Sequence, residues 1–177
     1  MPIDNRTKKL AKIVVNYSLS VKHDENVVIS GSIEASDFVV ALYGEILKVS
    51  AHPILRLTLP ELSHIFYKYA KNHHIEKYPE IFDYTVKNAQ KYIGIDTESN
   101  TRELSSADPK KLARRGIITR PISDYIVNEK SKIRRVTVAY PCIALAQEAE
   151  MSLSEFEDFV FGATILDWKK LGEEIDK

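Results

Sequence analysis

The side chains that could do chemistry fall into separate groups, and each group suggests a different kind of site. His73, His74 and Glu76 are the densest set of metal-ligand types in the sequence. Adjacent helical residues point about 100° apart, so His73 and His74 cannot both reach one ion on a continuous helix, and His73 with Glu76 is the usable pair. Two ligands do not make a site, and His23, His52 and His64 fall in unrelated segments, so this group reads as a solvated helix end. Cys142, the sole cysteine, follows a predicted strand as a nucleophile would. Pro141 before it supplies no general base and no oxyanion signature, so Cys142 reads as a buried, inert thiol. Asp96 and Glu98 stand at a strand end as carboxylates for acid and base work, a position that α/β domains commonly fill this way.

Two further groups bear on anions. The run Ser30-Gly31-Ser32-Ile33-Glu34 follows the first predicted strand, where a dinucleotide fold carries its glycine fingerprint. One glycine cannot give both the tight turn and the close approach to a pyrophosphate, so nucleotide binding is not expected and Gly31 is read as letting the chain turn. A small ligand at the strand ends near Ser30, Thr58 and Tyr140 is kept as a further reading. From Lys110 to Arg135 the chain is basic, with Lys110, Lys111, Arg114, Arg115, Arg120, Lys130, Lys132, Arg134 and Arg135 against Asp124 and Glu129. Residues 143–177 lean acidic, and mutual neutralisation, within the domain or across an oligomer, is expected in preference to nucleic-acid binding. No recognised nucleic-acid motif accompanies the basic run.

The elements that must position these groups are organised around Glu25 to Pro60. Val27, Val28 and Ile29 form a short β-branched run, a buried strand. Phe38, Leu42, Ile46 and Val49, widened by Val39 and Tyr43, give a helix after Ala35, and Ile54, Leu55 and Leu57 resume a strand. A crossover of this length returns the second strand parallel to the first and right-handed, and parallel strands need covers on both faces. An amphipathic helix over Asn5 to Val21 precedes the unit. After it, Thr58 and Glu61 have capping-box spacing for a helix from Leu59 that frays around Asn72 to His74. A short helix follows Pro79, carrying Ile81, Tyr84, Val86 and Ala89. Tyr92 to Ile95 is a third strand with Asp96 and Thr97 at its polar end. Asp108 caps a helix toward Ile126 that Pro121 should kink or interrupt. Arg135 to Ala139 is the fourth strand. Ser152 and Glu155 cap a helix with Phe156, Phe159, Val160 and Ala163 on one face, and a last piece runs through Trp168 and Leu171. The order predicts a three-layer α/β domain, with a mainly parallel sheet of about four strands covered by helices on both faces.

The totals agree with one such domain. A chain of 177 residues with 44% hydrophobic and 28% charged residues has the make-up of a soluble globular protein. Its formal net charge of zero removes any global attraction to nucleic acid or an anionic membrane. No signal segment opens the chain and no apolar run approaches the ~20 residues that span a bilayer, so no membrane partner and a cytoplasmic location are expected.

Three long phrases carry a resemblance: NYSLSVKHDENVVISG from Asn16 to Gly31, EASDFVVALYGEILKVSAHPILRL from Glu34 to Leu57, and AYPCIALAQEAEMSLSEFEDFV from Ala139 to Val160. In this order they resemble the metal-dependent thermophilic aminopeptidases, the aminopeptidase T and S type, over nearly the whole chain to Trp168. Cys142 departs from the family pattern, in which threonine follows Tyr-Pro. The resemblance implies an enzyme that removes amino-terminal residues from peptides, with two divalent ions activating a water and polarising the scissile carbonyl. It also implies that the Glu, His and Asp ligands of those ions, zinc, cobalt or similar, belong to a carboxyl-terminal catalytic domain downstream of the matched part. No catalytic, cofactor-binding or metal residue is therefore carried over onto residues 1–177. The expectation is an amino-terminal domain that covers the catalytic domain, helps to shape the peptide cleft and takes part in a homodimer. The competing expectation is a non-enzymatic binding module that uses the basic 110–135 segment on an anionic partner or nucleic acid.

Overall fold

The structure, a computed structural model, describes residues 3–128 and 131–175. Glu129 and Lys130 of the basic segment, and Asp176 of the acidic one, lie outside the described residues. The described chain forms a four-stranded, all-parallel sheet in the order β2-β1-β3-β4. Its strands are β1 (Asn26–Ser32), β2 (His52–Thr58), β3 (Lys91–Asp96) and β4 (Arg134–Ala139).

β1 lies inside the sheet, and its side chains alternate between two cores as a pleated strand requires. Val27 and Ile29 join one core with Leu10 and Ala11 of α1 (Asn5–Ile13), with Phe38, Leu42 and Ile46 of α2 (Ser36–Lys48), and with Phe161 of α8 (Leu153–Thr164). Val28 turns to the other face, with Val86 of α5 (Glu80–Lys87) and Ile122 of α6 (Pro109–Val127). Helices thus cover both faces, which is the expected three-layer arrangement. The remaining helices are α3 (Leu62–Tyr69), α4 (Asn72–Glu76), α7 (Ile143–Glu148) and α9 (Trp168–Ile175).

Several local expectations change. The first helix does not run to Val21: after Ile13 it widens into a π turn over Val14–Ser18, where the Leu19 amide reaches back to the Val14 carbonyl. The wider turn brings Val15 and Leu19 into the core and leaves Tyr17 42% exposed. Thr58 and Glu61 form no capping box, because Thr58 belongs to β2 and donates its hydroxyl to the Gly31 carbonyl. Glu61 is instead left-handed (φ 66), and the open His64 amide in the first turn of α3 is satisfied by Glu103 at 2.9 Å. Asn72 to His74, expected as a frayed end, belong to the one-turn helix α4. On α5, Ile81 and Tyr84 face outward while Val86 is buried. α6 continues through Pro121 without interruption. On α8 the buried side chains are Val160 and Phe161, and Phe159 is exposed.

Candidate functional site at the strand ends

In the order β2-β1-β3-β4 the chain leaves β1 for one neighbour and later returns to its other side, so a crevice opens where the two crossovers diverge, beyond the carboxyl ends of β1 and β3. A cleft of ≈ 380 Å³ lies there. Register explains which side chains reach it. Ser30 pairs with Arg56 on β2 and with Gly94 on β3, while Ser32 pairs with Thr58, so Ser30, Ser32, Arg56 and Thr58 share one face of the sheet. Asp96 stands on that same face, two residues beyond Gly94. Of these, Ser30, Ser32, Arg56, Thr58 and Asp96 line the cleft, together with Thr97 and Glu98.

Gly31 fixes the floor. It is the sixth residue of β1 and has no positive φ, so it does not make the turn expected of it. A Cβ built on Gly31 would stand 2.9 Å from the Ile95 Cβ and 3.2 Å from the Ile95 carbonyl oxygen. What Gly31 supplies is close approach between β1 and β3. Arg56 forms the β2 wall: its guanidinium lies 3.9 Å above the Phe82 ring centroid and donates from Nη1 to the Ser30 hydroxyl at 3.3 Å. On the opposite wall Thr97 is 4% exposed, and its Oγ1 is a buried hydroxyl with no hydrogen-bond partner among the described residues.

The remaining sequence candidates lie elsewhere or are otherwise engaged. Tyr140 does not reach the cleft: it packs in the core on Phe38 and shares a hydrogen bond with Thr7 at 3.0 Å, and burial raises its phenol pKa above the usual value. Cys142 is buried, and its thiol donates to the Glu98 carbonyl at 3.0 Å. The rings of His73 and His74 lie 3.8 Å apart, tilted by 38°, His74 Nδ1 accepts from the Lys71 amide, and Glu76 pairs with Arg114. His52 pairs with Asp24, whose carboxyl it holds below the usual range. Among the described residues no group of three His, Cys, Asp or Glu could hold a metal ion, so this donor set does not fit the divalent ions that the sequence resemblance implies.

Four cations of the basic segment are engaged within the fold. Lys111 donates to the carbonyls of Tyr67 and Ala70, Arg115 to those of Ile75 and Lys77, Arg114 pairs with Glu76 and Arg120 with Asp124. The bonds of Lys111, Arg114 and Arg115 tie α6 to α3, α4 and the chain that follows each, while Arg120–Asp124 lies within α6. The acidic carboxyl-terminal part meets other cations: Arg6 pairs with Glu157 and Asp158, and Arg102 with Glu148. Among the described residues no ion pair joins the basic segment to the acidic one within the chain.

Sequence reasoning reached Ser30, Thr58, Asp96 and Glu98 but missed Arg56 and the isolation of the Thr97 hydroxyl. The signal for Arg56 was present, as a charge set between Leu55 and Leu57 in a crossover strand. Thr97 was noted only as part of a polar strand end.

Comparison with known proteins gives two findings. A family model described as Thermophilic metalloprotease (M29) matches residues 3–174. Among solved structures, wild-type AmpT from Thermus thermophilus shares this fold with a TM-score of 0.70 at 18% sequence identity. That match covers 93% of this chain and 43% of the AmpT chain, so the chain spans less than half the length of that relative. No curated protein matches it. No helix among the described residues is long and apolar enough to cross a membrane.

Proposed function

This chain belongs to the thermophilic metalloprotease (M29) family, and from that premise we propose that it is the amino-terminal α/β domain of a metal-dependent aminopeptidase. In this reading it covers the catalytic domain, helps to shape the peptide cleft and takes part in a homodimer, while hydrolysis belongs to the separate catalytic domain. The observation that carries the reading is one of extent: the family model runs over residues 3–174, yet the same fold accounts for 43% of the AmpT chain. The donor set of the chain supports the same division, since its described residues offer no cluster suited to a catalytic divalent ion and no metal-assisted step can be routed through them.

The test is an aminoacyl-chromogenic assay of the purified chain with zinc, cobalt or manganese added, run beside the same chain joined to the catalytic domain of a family member. The expected result is turnover by the joined protein alone. Robust metal-dependent turnover by the 177-residue chain would overturn the assignment. The competing reading, a binding module built on residues 110–135, has less to work with, because Lys111, Arg114, Arg115 and Arg120 already have partners within the chain. Salt-sensitive binding to a random oligonucleotide would favour it.

A further inference from the structure

Three features of the strand-end cleft point to a ligand. The first is the Thr97 hydroxyl. A buried polar atom left without a partner costs about 1–3 kcal/mol, and native structures leave few of them. Thr97 is nine-tenths buried, lines the cleft and has no partner for its Oγ1 among the described residues. The second is Arg56, a guanidinium held in place by the Phe82 ring and the Ser30 hydroxyl but paired with no carboxylate among the described residues. The third is the pair Asp96 and Glu98 on the far side. Their carboxylates make no side-chain hydrogen bond or ion pair among the described residues, although their main-chain carbonyls are occupied by Tyr140 and Cys142.

The spacing sets the size of the ligand. Arg56 and Asp96 stand on β2 and β3 with β1 between them, two interstrand steps across and two residues along the strands, or about 12 Å apart at the backbone. Both side chains line the one cleft, whose ≈ 380 Å³ falls near the lower end of small-molecule sites. A cation on one wall, carboxylates on the other and hydroxyls between them narrow the chemistry. A phosphate or polyphosphate would face Asp96, Glu98 and Glu103 and lacks a glycine-rich cradle. A metal ion would face Arg56 and find no grouping of three ligands among the described residues. A wholly apolar molecule would leave the charged groups unsatisfied.

We propose that this cleft binds a small zwitterion, in its simplest form a free α-amino acid. The carboxylate sits against the Arg56 guanidinium and accepts from the Thr97 hydroxyl, and the ammonium lies toward Asp96 and Glu98. Leu59 and Leu104 supply the apolar wall against which an aliphatic side chain would rest. The proposal goes beyond the peptidase reading and does not rest on it, since it uses only groups within residues 30–104.

The test is calorimetric titration of the purified chain with L-leucine at neutral pH and low salt. 4-Methylpentanoate, which lacks the ammonium, and isoamylamine, which lacks the carboxylate, serve as comparison probes. Saturable binding of L-leucine is expected, weaker by about tenfold or more for each comparison probe and for the variants Arg56→Gln and Thr97→Val. Thr97→Val also separates binding from folding. It removes a buried hydroxyl that has no partner among the described residues, so without ligand the variant should melt no lower than the parent chain while it loses affinity. No saturable binding of L-leucine would overturn the proposal, as would binding that survives in both variants or 4-methylpentanoate binding as tightly as L-leucine. Peptidase activity does not enter these readouts, so failure here and failure of the aminopeptidase assignment are distinguishable.

Discussion

Tyr140 lies flat on Phe38, with ring centroids 4.9 Å apart and planes within 1° of parallel, and the edge of the same tyrosine meets Phe161. The stack joins the end of β4 to α2, and the Tyr140 hydroxyl extends the contact to Thr7 of α1, a side chain only 1% exposed. Tyr140→Phe should therefore leave the Thr7 hydroxyl buried without a partner, at a cost of about 1–3 kcal/mol. Adding Thr7→Val should recover much of that loss, because both ends of the bond are then apolar. Urea midpoints of the two single variants and the double variant complete the cycle.

Gly31→Ala places a methyl group 2.9 Å from the Ile95 Cβ. Overpacking of this kind costs about 1–3 kcal/mol, and a domain of this size loses about 2–4 °C in Tm per kcal/mol. Gly44→Ala is the matched control. It lies within α2 with nothing in the way of a Cβ, so it should stabilise by about 0.5–1 kcal/mol through helix propensity. Equal losses in the two variants would contradict the close-approach account of Gly31.

Asp4 caps α1, and its carboxyl is held below the usual carboxylate range, chiefly by the Arg6 amide at 2.6 Å and then by the Arg6 side chain. Because the folded-state value is the lower one, this interaction contributes stability above the unfolded value of about 3.9 and loses it as pH falls through the folded value. Asp4→Asn retains a good cap while removing the charge. The Tm gap between the parent chain and Asp4→Asn should hold steady from about pH 5 to pH 8 and close in stronger acid. High salt should narrow it throughout, since the side chain is well exposed.

Pro121 sits inside α6, where it has no amide hydrogen to donate to the preceding turn, and a proline ring within a helix crowds the carbonyl four residues back. Pro121→Ala should restore that bond on an exposed face and raise stability by about 1–3 kcal/mol. A lower Tm would mean that the proline shapes the packing of α6 on α4 and α5.

Much of the fold was legible because its signals are local. The apolar run Val27 to Ile29, the helical spacing of Phe38, Leu42 and Ile46, the Asp108 cap and the Ser152–Glu155 capping box all appear where neighbouring residues placed them. What escaped depended on partners far away in sequence. Thr58 and Glu61 have the spacing of a capping box, but β2 claims Thr58 and Glu103 takes over the cap. The turning point of the α8 face follows from Tyr140 and Arg6, both of which meet Phe161. The cleft was half legible. Polar residues at strand ends can be read from alternation, whereas the isolation of the Thr97 hydroxyl and of the Arg56 charge among the described residues is a property of the assembled sheet.

The place of β1 between β2 and β3 also has a kinetic consequence. Its pairing with β2 closes across α2 alone, the shortest loop in the sheet, whereas pairing with β3 must wait for three more helices. Short loops close at the lowest entropic cost, so the β1-α2-β2 unit is the expected folding nucleus. During synthesis that unit would leave the ribosome complete, with its β3-facing edge still open to receive the next strand. Folding in this protein then proceeds outward from its first strand, and the cleft at the strand ends is finished only when β3 arrives.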